Sequence, residues 1–244
     1  MNSFGIDLRA AIGNSGKRTG GALMLAIFDC DGVLVDSEVL LVEFEEEALN
    51  RAGFPVSVAY IVDNYVGLSY KDVAQKVEAE FGAALPPGYF DEVQQTALAH
   101  FPDRLKPVQG IPELLDEFSG PRCVASSSAL SRVRFSLSVT GLSHHFEPEH
   151  VFSAEMVPNG KPAPDLFLHA AKQLGTDPSQ CIVVEDSPHG VAAAVAAGMK
   201  CIGFVAGGHC SAALPDRLVA AGAHSIATDA SQVLSALANS EFQH

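Results

Sequence analysis

The sequence predicts an α/β fold, a Rossmann-like parallel sheet with helices on both faces, interrupted after its first strand by an all-helical insertion. Three observations predict it. Short apolar runs alternate with helical patterns along most of the chain, which is the rhythm of strand–helix–strand units. The runs, CIVV among them, are apolar at nearly every position, as strands covered on both faces must be. Between residues 36 and 122 the rhythm stops and no convincing strand is found.

Taken in order, the strand-like runs are 23–28, 122–125, 181–184, 200–205 and 225–227. The helical patterns that separate or follow them are 111–118, 129–140, 165–174, 190–197, 214–221 and 231–238, each with the 3.6-residue apolar period. Inside the interruption, 37–52, 70–81 and 89–101 read as helices. They are punctuated by Gly53, Pro55, Gly67, Gly82, Pro86 and Pro87. The hinges of this insertion fall near 36–38 and 103–107.

Composition sets limits. The chain has 244 residues, 48% of them hydrophobic and 18% charged, too apolar for a disordered polymer. Fifteen Lys and Arg against 29 Asp and Glu give a net charge of −14. That argues against a nucleic-acid partner and against an anionic membrane surface. A small anionic substrate is still allowed, because one Lys and a metal ion reverse the sign locally. No stretch approaches the ~18 apolar residues of a membrane span. Cys30, Cys123, Cys181, Cys201 and Cys210 are odd in number and lack metal-finger spacing, so they read as free thiols in a reducing cytoplasm. Residues 1–21 read as a flexible extension without the apolar segment of a secretory signal, and Met24 is an alternative start.

Ligands of a parallel α/β sheet bind beyond the carboxyl ends of its strands. The sequence places Asp29-Cys30-Asp31-Gly32, Ser126-Ser127-Ser128 and Glu185-Asp186-Ser187 there, with Gly160-Lys161-Pro162 in a loop ahead of a helix. Asp29, Glu185 and Asp186 would repel one another without a cation, and an all-oxygen donor set suits Mg²⁺. A metal shields a phosphate so that a carboxylate can attack it. Asp31 is the candidate proton donor to the leaving oxygen. Lys161 and the Ser126 hydroxyl are candidates to hold the phosphoryl oxygens.

The strings DCDGVLVDS from Asp29, VASS through Ser126 and Ser127, GKPAPD around Lys161 and VVEDS around Glu185 occur in this order. They resemble the four motifs of the haloacid dehalogenase-like superfamily. The fit is to the helical-cap phosphatase and beta-phosphoglucomutase-like branch, from about Leu25 to the C-terminus. The resemblance implies that Asp29 is nucleophile and Mg²⁺ ligand. It makes Asp31 the acid/base, with its backbone carbonyl on the metal. Ser126, Ser127 and Lys161 would bind phosphate, and Glu185 and Asp186 would complete the metal site. The insertion becomes a cap over 37–103 on a core of 22–36 and 104–244, with Ser37, Glu38, Tyr70 and Lys71 facing the substrate.

The function expected is therefore a Mg²⁺-dependent phosphatase of a small phosphorylated metabolite, a sugar or sugar-acid phosphate. It would work through a phospho-aspartate, in a cytoplasmic monomer or homodimer. A phosphomutase of the beta-phosphoglucomutase type is the alternative. Mutase relatives carry an Arg after the Gly-x-Ser turn of the cap and a His in the first cap helix, where this chain has Tyr70, then Lys71, and Leu41. Other residues read as structural. Asp165 reads as a helix cap, His189 and the pair His144-His145 as surface groups, and Glu43, Glu45, Glu46 and Glu47 as the wet face of the first insertion helix. Asp36 is divided between the hinge and the site.

Overall fold

The computed structural model describes residues 24–66, 68, 70–208 and 210–238. The extension expected over 1–21 lies outside them, as do Gly67 and Ser69 of the turn expected in the cap. In chain order the elements are β1 (Leu25–Phe28), α1 (Ser37–Arg51), α2 (Val58–Asn64), α3 (Tyr70–Phe81), α4 (Tyr89–Arg104) and α5 (Ile111–Glu117). Then come β2 (Arg122–Ser126), α6 (Leu130–Val139), β3 (Val151–Ser153), α7 (Asp165–Gln173) and β4 (Cys181–Glu185). The chain closes with α8 (Pro188–Ala196), β5 (Lys200–Phe204), α9 (Leu214–Ala220), β6 (Ser225–Ala227) and α10 (Ala230–Ala238).

The six strands form one parallel sheet in the order β3-β2-β1-β4-β5-β6. Side chains alternate across it with the two-residue period of a strand. Phe28, Val124, Val184 and Phe204 join the apolar cluster of α5, α6, α10 and the insertion. Ile27, Cys123, Ala125 and Val183 join that of α7, α8 and α9. Both faces are covered, which is why these strands carry no polar stripe. Among the described residues Cys30, Cys123, Cys181 and Cys201 are free thiols, all buried, and no helix is long and apolar enough to cross a membrane.

The register sets up the site. Phe28 pairs with Val124 on one side and Val184 on the other, so β1 ends within two residues of the ends of β2 and β4. Asp29 leaves β1 level with Glu185 at the end of β4, and its N–H still donates to the Val184 carbonyl at 3.0 Å. Between β1 and α5 the described chain is helical, and these helices share the apolar cluster of the first sheet face.

Two elements differ from the sequence reading. The seven-residue α2 was not expected; it starts where Ser57 accepts the Tyr60 N–H, a side-chain cap on a helix too short to show a period. The edge strand β3 is three residues long and was likewise not expected, because no alternation can be read from three buried positions.

Candidate active site

Lys161 is the centre of the arrangement. Its ammonium lies 2.6 Å from Asp29 Oδ1, 2.6 Å from Glu185 Oε1 and 3.0 Å from the Ala125 carbonyl oxygen. Its three N–H donors therefore meet three acceptors, one on each of three structural segments. Its side chain is only 4% exposed and rides over the Phe167 ring at 4.9 Å. Burial pulls its pKa down, but the two carboxylates outweigh that and hold the ammonium charged.

Glu185 is fixed from the other side. Its Oε2 accepts from both the N–H and the hydroxyl of Ser187 at 2.9 Å, and the same hydroxyl caps α8 by accepting from Gly190 N at 3.0 Å. The glycine is required by space: a Cβ at 190 would stand 1.8 Å from Glu185 Oε1. Asp29, Glu185 and Asp186 are all buried. Burial first, then the neighbouring Glu185 and Asp186, push the Asp29 carboxyl well above the usual carboxylate range against the pull of Lys161.

Asp31 is held by three donors. Ser37 and Ser128 donate hydroxyls to its two oxygens at 2.6 Å each, and Arg132 Nη2 lies 3.1 Å from Oδ1. Ser37 is completely buried and is not part of the cavity wall. Placed by the sequence reading against the substrate, it instead touches Asp31, because the first residue of α1 starts beneath the loop that carries that acid. Ser126 is buried and accepts the Ser128 N–H, whereas Ser127 is exposed at the cavity.

Sequence reasoning singled out neither Ser128 for this role nor Arg132. The one signal for Ser128 was a third serine in the run; an Arg in the first turn of α6 reads as a solvated charge. Asp36 resolves toward the hinge, since its N–H donates to the Lys106 carbonyl and its carboxylate accepts the Gly208 N–H.

A cavity of about 590 Å³ opens between the strand ends and the insertion. Asp29, Asp31, Ser126, Lys161, Glu185 and Asp186 form its floor; Glu38, Leu41, Glu45, Tyr70, Phe90 and Gln94 line it from the insertion. Tyr70 stacks on Phe90 with centroids 4.3 Å apart, and the Gln94 amide donates to its hydroxyl. Lys71, expected beside it, is exposed and absent from the wall. Lys71 lies about 100° around α3 from Tyr70, and here that turn carries it to the exposed side of the helix.

Glu45 also corrects the expected wet face of α1. It lines the cavity, and burial raises its carboxyl to about 7, while Glu43 pairs with Arg104. His189 is exposed at the cavity rim. The His144-His145 pair has a third neighbour, Asp116, and the potential ligand atoms lie within 4.8 Å of one another. This group sits near the start of β2, at the opposite end of the strands from Asp29.

Residues 26–204 match the family described as haloacid dehalogenase-like hydrolase. The chain is 30% identical over 183 residues to the 6-phosphogluconate phosphatase of Escherichia coli (strain K12), covering 75% of this chain and 82% of the relative. It is 28% identical to that organism's fructose-1-phosphate phosphatase, over 72% of this chain and 93% of the relative. A conserved haloacid dehalogenase-like protein of unknown function from Agrobacterium tumefaciens superposes with a TM-score of 0.83 at 36% identity, over 89% of this chain and all of that one. A phosphoric monoester hydrolase by these likenesses, the chain belongs to the haloacid dehalogenase-like hydrolase family.

Proposed function

We propose that the protein is a Mg²⁺-dependent phosphatase that hydrolyses a sugar or sugar-acid phosphate through a phosphorylated Asp29. The observation that carries the reading is the Lys161 ammonium joining Asp29 to Glu185, with Asp31 two residues on, at one end of the sheet. The relatives' names support the substrate class. The free thiols of Cys30, Cys123, Cys181 and Cys201 support a reducing cytoplasm.

The donor set fits the metal. Three carboxylates against one ammonium leave a formal charge of −2, all donors are oxygen, and burial among acids lifts Asp29. Asp29, Asp186 and the backbone carbonyl of Asp31 would hold the ion, with Glu185 beside them already engaged by Lys161 and Ser187. When bound, Mg²⁺ neutralises phosphate charge.

This chain's residues do the rest. Lys161 and Ser126 orient the phosphoryl oxygens. An Asp29 carboxylate oxygen forms a bond to phosphorus as the ester P–O bond breaks, and Asp31 gives its proton to the leaving oxygen. Asp31, now a carboxylate, takes a proton from water, whose oxygen attacks phosphorus and frees Asp29 with release of phosphate. The helices between β1 and α5 act as a cap that excludes bulk water during the first step.

A mutase would need a second phosphate site on that cap. The wall there carries Leu41, Tyr70, Glu38 and Glu45, which favours hydrolysis. The test is a phosphate-release screen over several dozen phosphorylated metabolites with Mg²⁺, with glucose 1-phosphate isomerisation assayed alongside. Phosphate release that Asp29→Asn abolishes is the expected result; isomerisation faster than release would overturn it.

A further inference from the structure

We propose that Arg132 is the receptor for a carboxylate on the substrate, so that the enzyme selects phosphorylated acids over the matching neutral polyol phosphates. The proposal rests on the phosphatase reading above and adds to it the group that the substrate carries beside its phosphate. Among the described residues three Lys or Arg side chains line the cavity: Lys161, Arg217 and Arg132. Lys161 is committed to the phosphoryl site by its contacts with Asp29, Glu185 and the Ala125 carbonyl, and Arg217 is exposed on α9.

Arg132 is different. Its side chain is only 19% exposed, its guanidinium carbon lies 5.7 Å from the Phe101 ring centroid, and its buried Nε has no hydrogen-bond partner. A buried guanidinium with an unused donor is costly to keep.

Holding Asp31 does not explain that cost. Ser37 and Ser128 already fix one oxygen each at 2.6 Å, and the Arg132 contact is the longer one at 3.1 Å. The guanidinium is planar and presents paired donors, the geometry that takes a carboxylate in two parallel bonds. A second phosphate fits less well, because one positive charge faces it while Glu38 and Glu45 line the same cavity. A substrate carboxylate seated on Arg132 also competes with Asp31 for Nη2.

The test uses two matched pairs, 6-phosphogluconate with sorbitol 6-phosphate, and 3-phosphoglycerate with glycerol 3-phosphate. Wild type should prefer the acid in at least one pair by about 30-fold in kcat/KM, the worth of a charge-assisted pair of hydrogen bonds. Arg132→Met should bring that preference within about 3-fold through KM, and Arg132→Lys should keep part of it. In the turnover-deficient Asp29→Asn background, calorimetry should show tighter binding of the acid, lost with Arg132→Met.

Equal losses for acid and polyol would make Arg132 a positioning residue for Asp31 and overturn the proposal, as would a wild type without preference. Failure of the phosphatase reading shows separately, as absence of phosphate release from all four compounds and from p-nitrophenyl phosphate; the calorimetry then still decides whether Arg132 reads a carboxylate.

Discussion

At the scale of the residue, Gly190 is where a side chain is least affordable, because its Cβ would overlap the carboxylate that holds Lys161. Gly190→Ala must push Glu185 aside, and overpacking of this kind destabilises by about 1–3 kcal/mol. Turnover should fall by about 100-fold or more, since Lys161 loses one of its two carboxylates and small displacements of reacting groups are that costly. Denaturant titration and steady-state kinetics check both numbers. The glycine could be seen in the sequence as the end of EDSxxG, but its reason could not, because that reason is a distance.

Glu45 gives a second residue-scale prediction. Its folded pKa of about 7 exceeds the unfolded 4.5, so the folded state holds the extra proton between those values. The stability this provides is complete below pH 4.5 and is lost as pH rises through 7, by up to about 3 kcal/mol. Glu45→Gln should therefore melt at a temperature that falls less between pH 5 and 8.5 than that of wild type. Equal slopes in calorimetric scans would mean that Glu45 ionises freely. The sequence showed four acids within five residues, 43–47, and no hint that one of them turns inward.

At the scale of the element, the strands that end at the site were legible because their buried runs stop abruptly at polar residues: Phe28 gives way to Asp29, and Val184 to Glu185. The short edge strand β3 was not legible, yet it buttresses the site. Ser153 at its end donates to the Ser128 carbonyl at 2.7 Å, and Glu155 just beyond accepts the Leu130 N–H at the start of α6. Ser153→Ala should loosen the loop that presents Ser126 and Ser128. We expect a loss of about 1 kcal/mol of stability and a rise in KM for substrate larger than any fall in kcat. The opposite split would mean that β3 acts on the chemical step. On the facing side, Tyr70→Ala removes the ring that stacks on Phe90. It should change the ranking of substrates more than the maximal rate on the best one, a comparison made over the same phosphate-release panel.

At the scale of the whole molecule, the chain carries a net charge of −14, and its fold sets two buried acids on one Lys, with a third, Asp186, buried next to Glu185 in the chain. The excess negative charge was plain in the sequence; its concentration depends on β1 and β4 ending level, which only the register reveals. Folding such a cluster without a divalent ion works against the carboxylates' mutual repulsion, so an ion that binds only the folded site must raise stability. Linkage sets the size: at a hundredfold excess over its dissociation constant the ion adds about 2.7 kcal/mol. For a domain of this length that is a melting shift of about 5–10 °C. Mg²⁺ should produce this shift in differential scanning calorimetry where Na⁺ at matched ionic strength does not, which separates a site from general screening of an acidic surface. Chelator should reverse the shift and abolish phosphate release. Ca²⁺ should restore turnover poorly, because it accepts looser geometry and more ligands. Asp186→Asn should lose most of the Mg²⁺ shift, since an amide is a poorer ligand for a hard cation than a carboxylate. A Mg²⁺ shift that survives intact in Asp186→Asn would place the ion away from Asp29 and break the link between this acidic cluster and phosphoryl transfer.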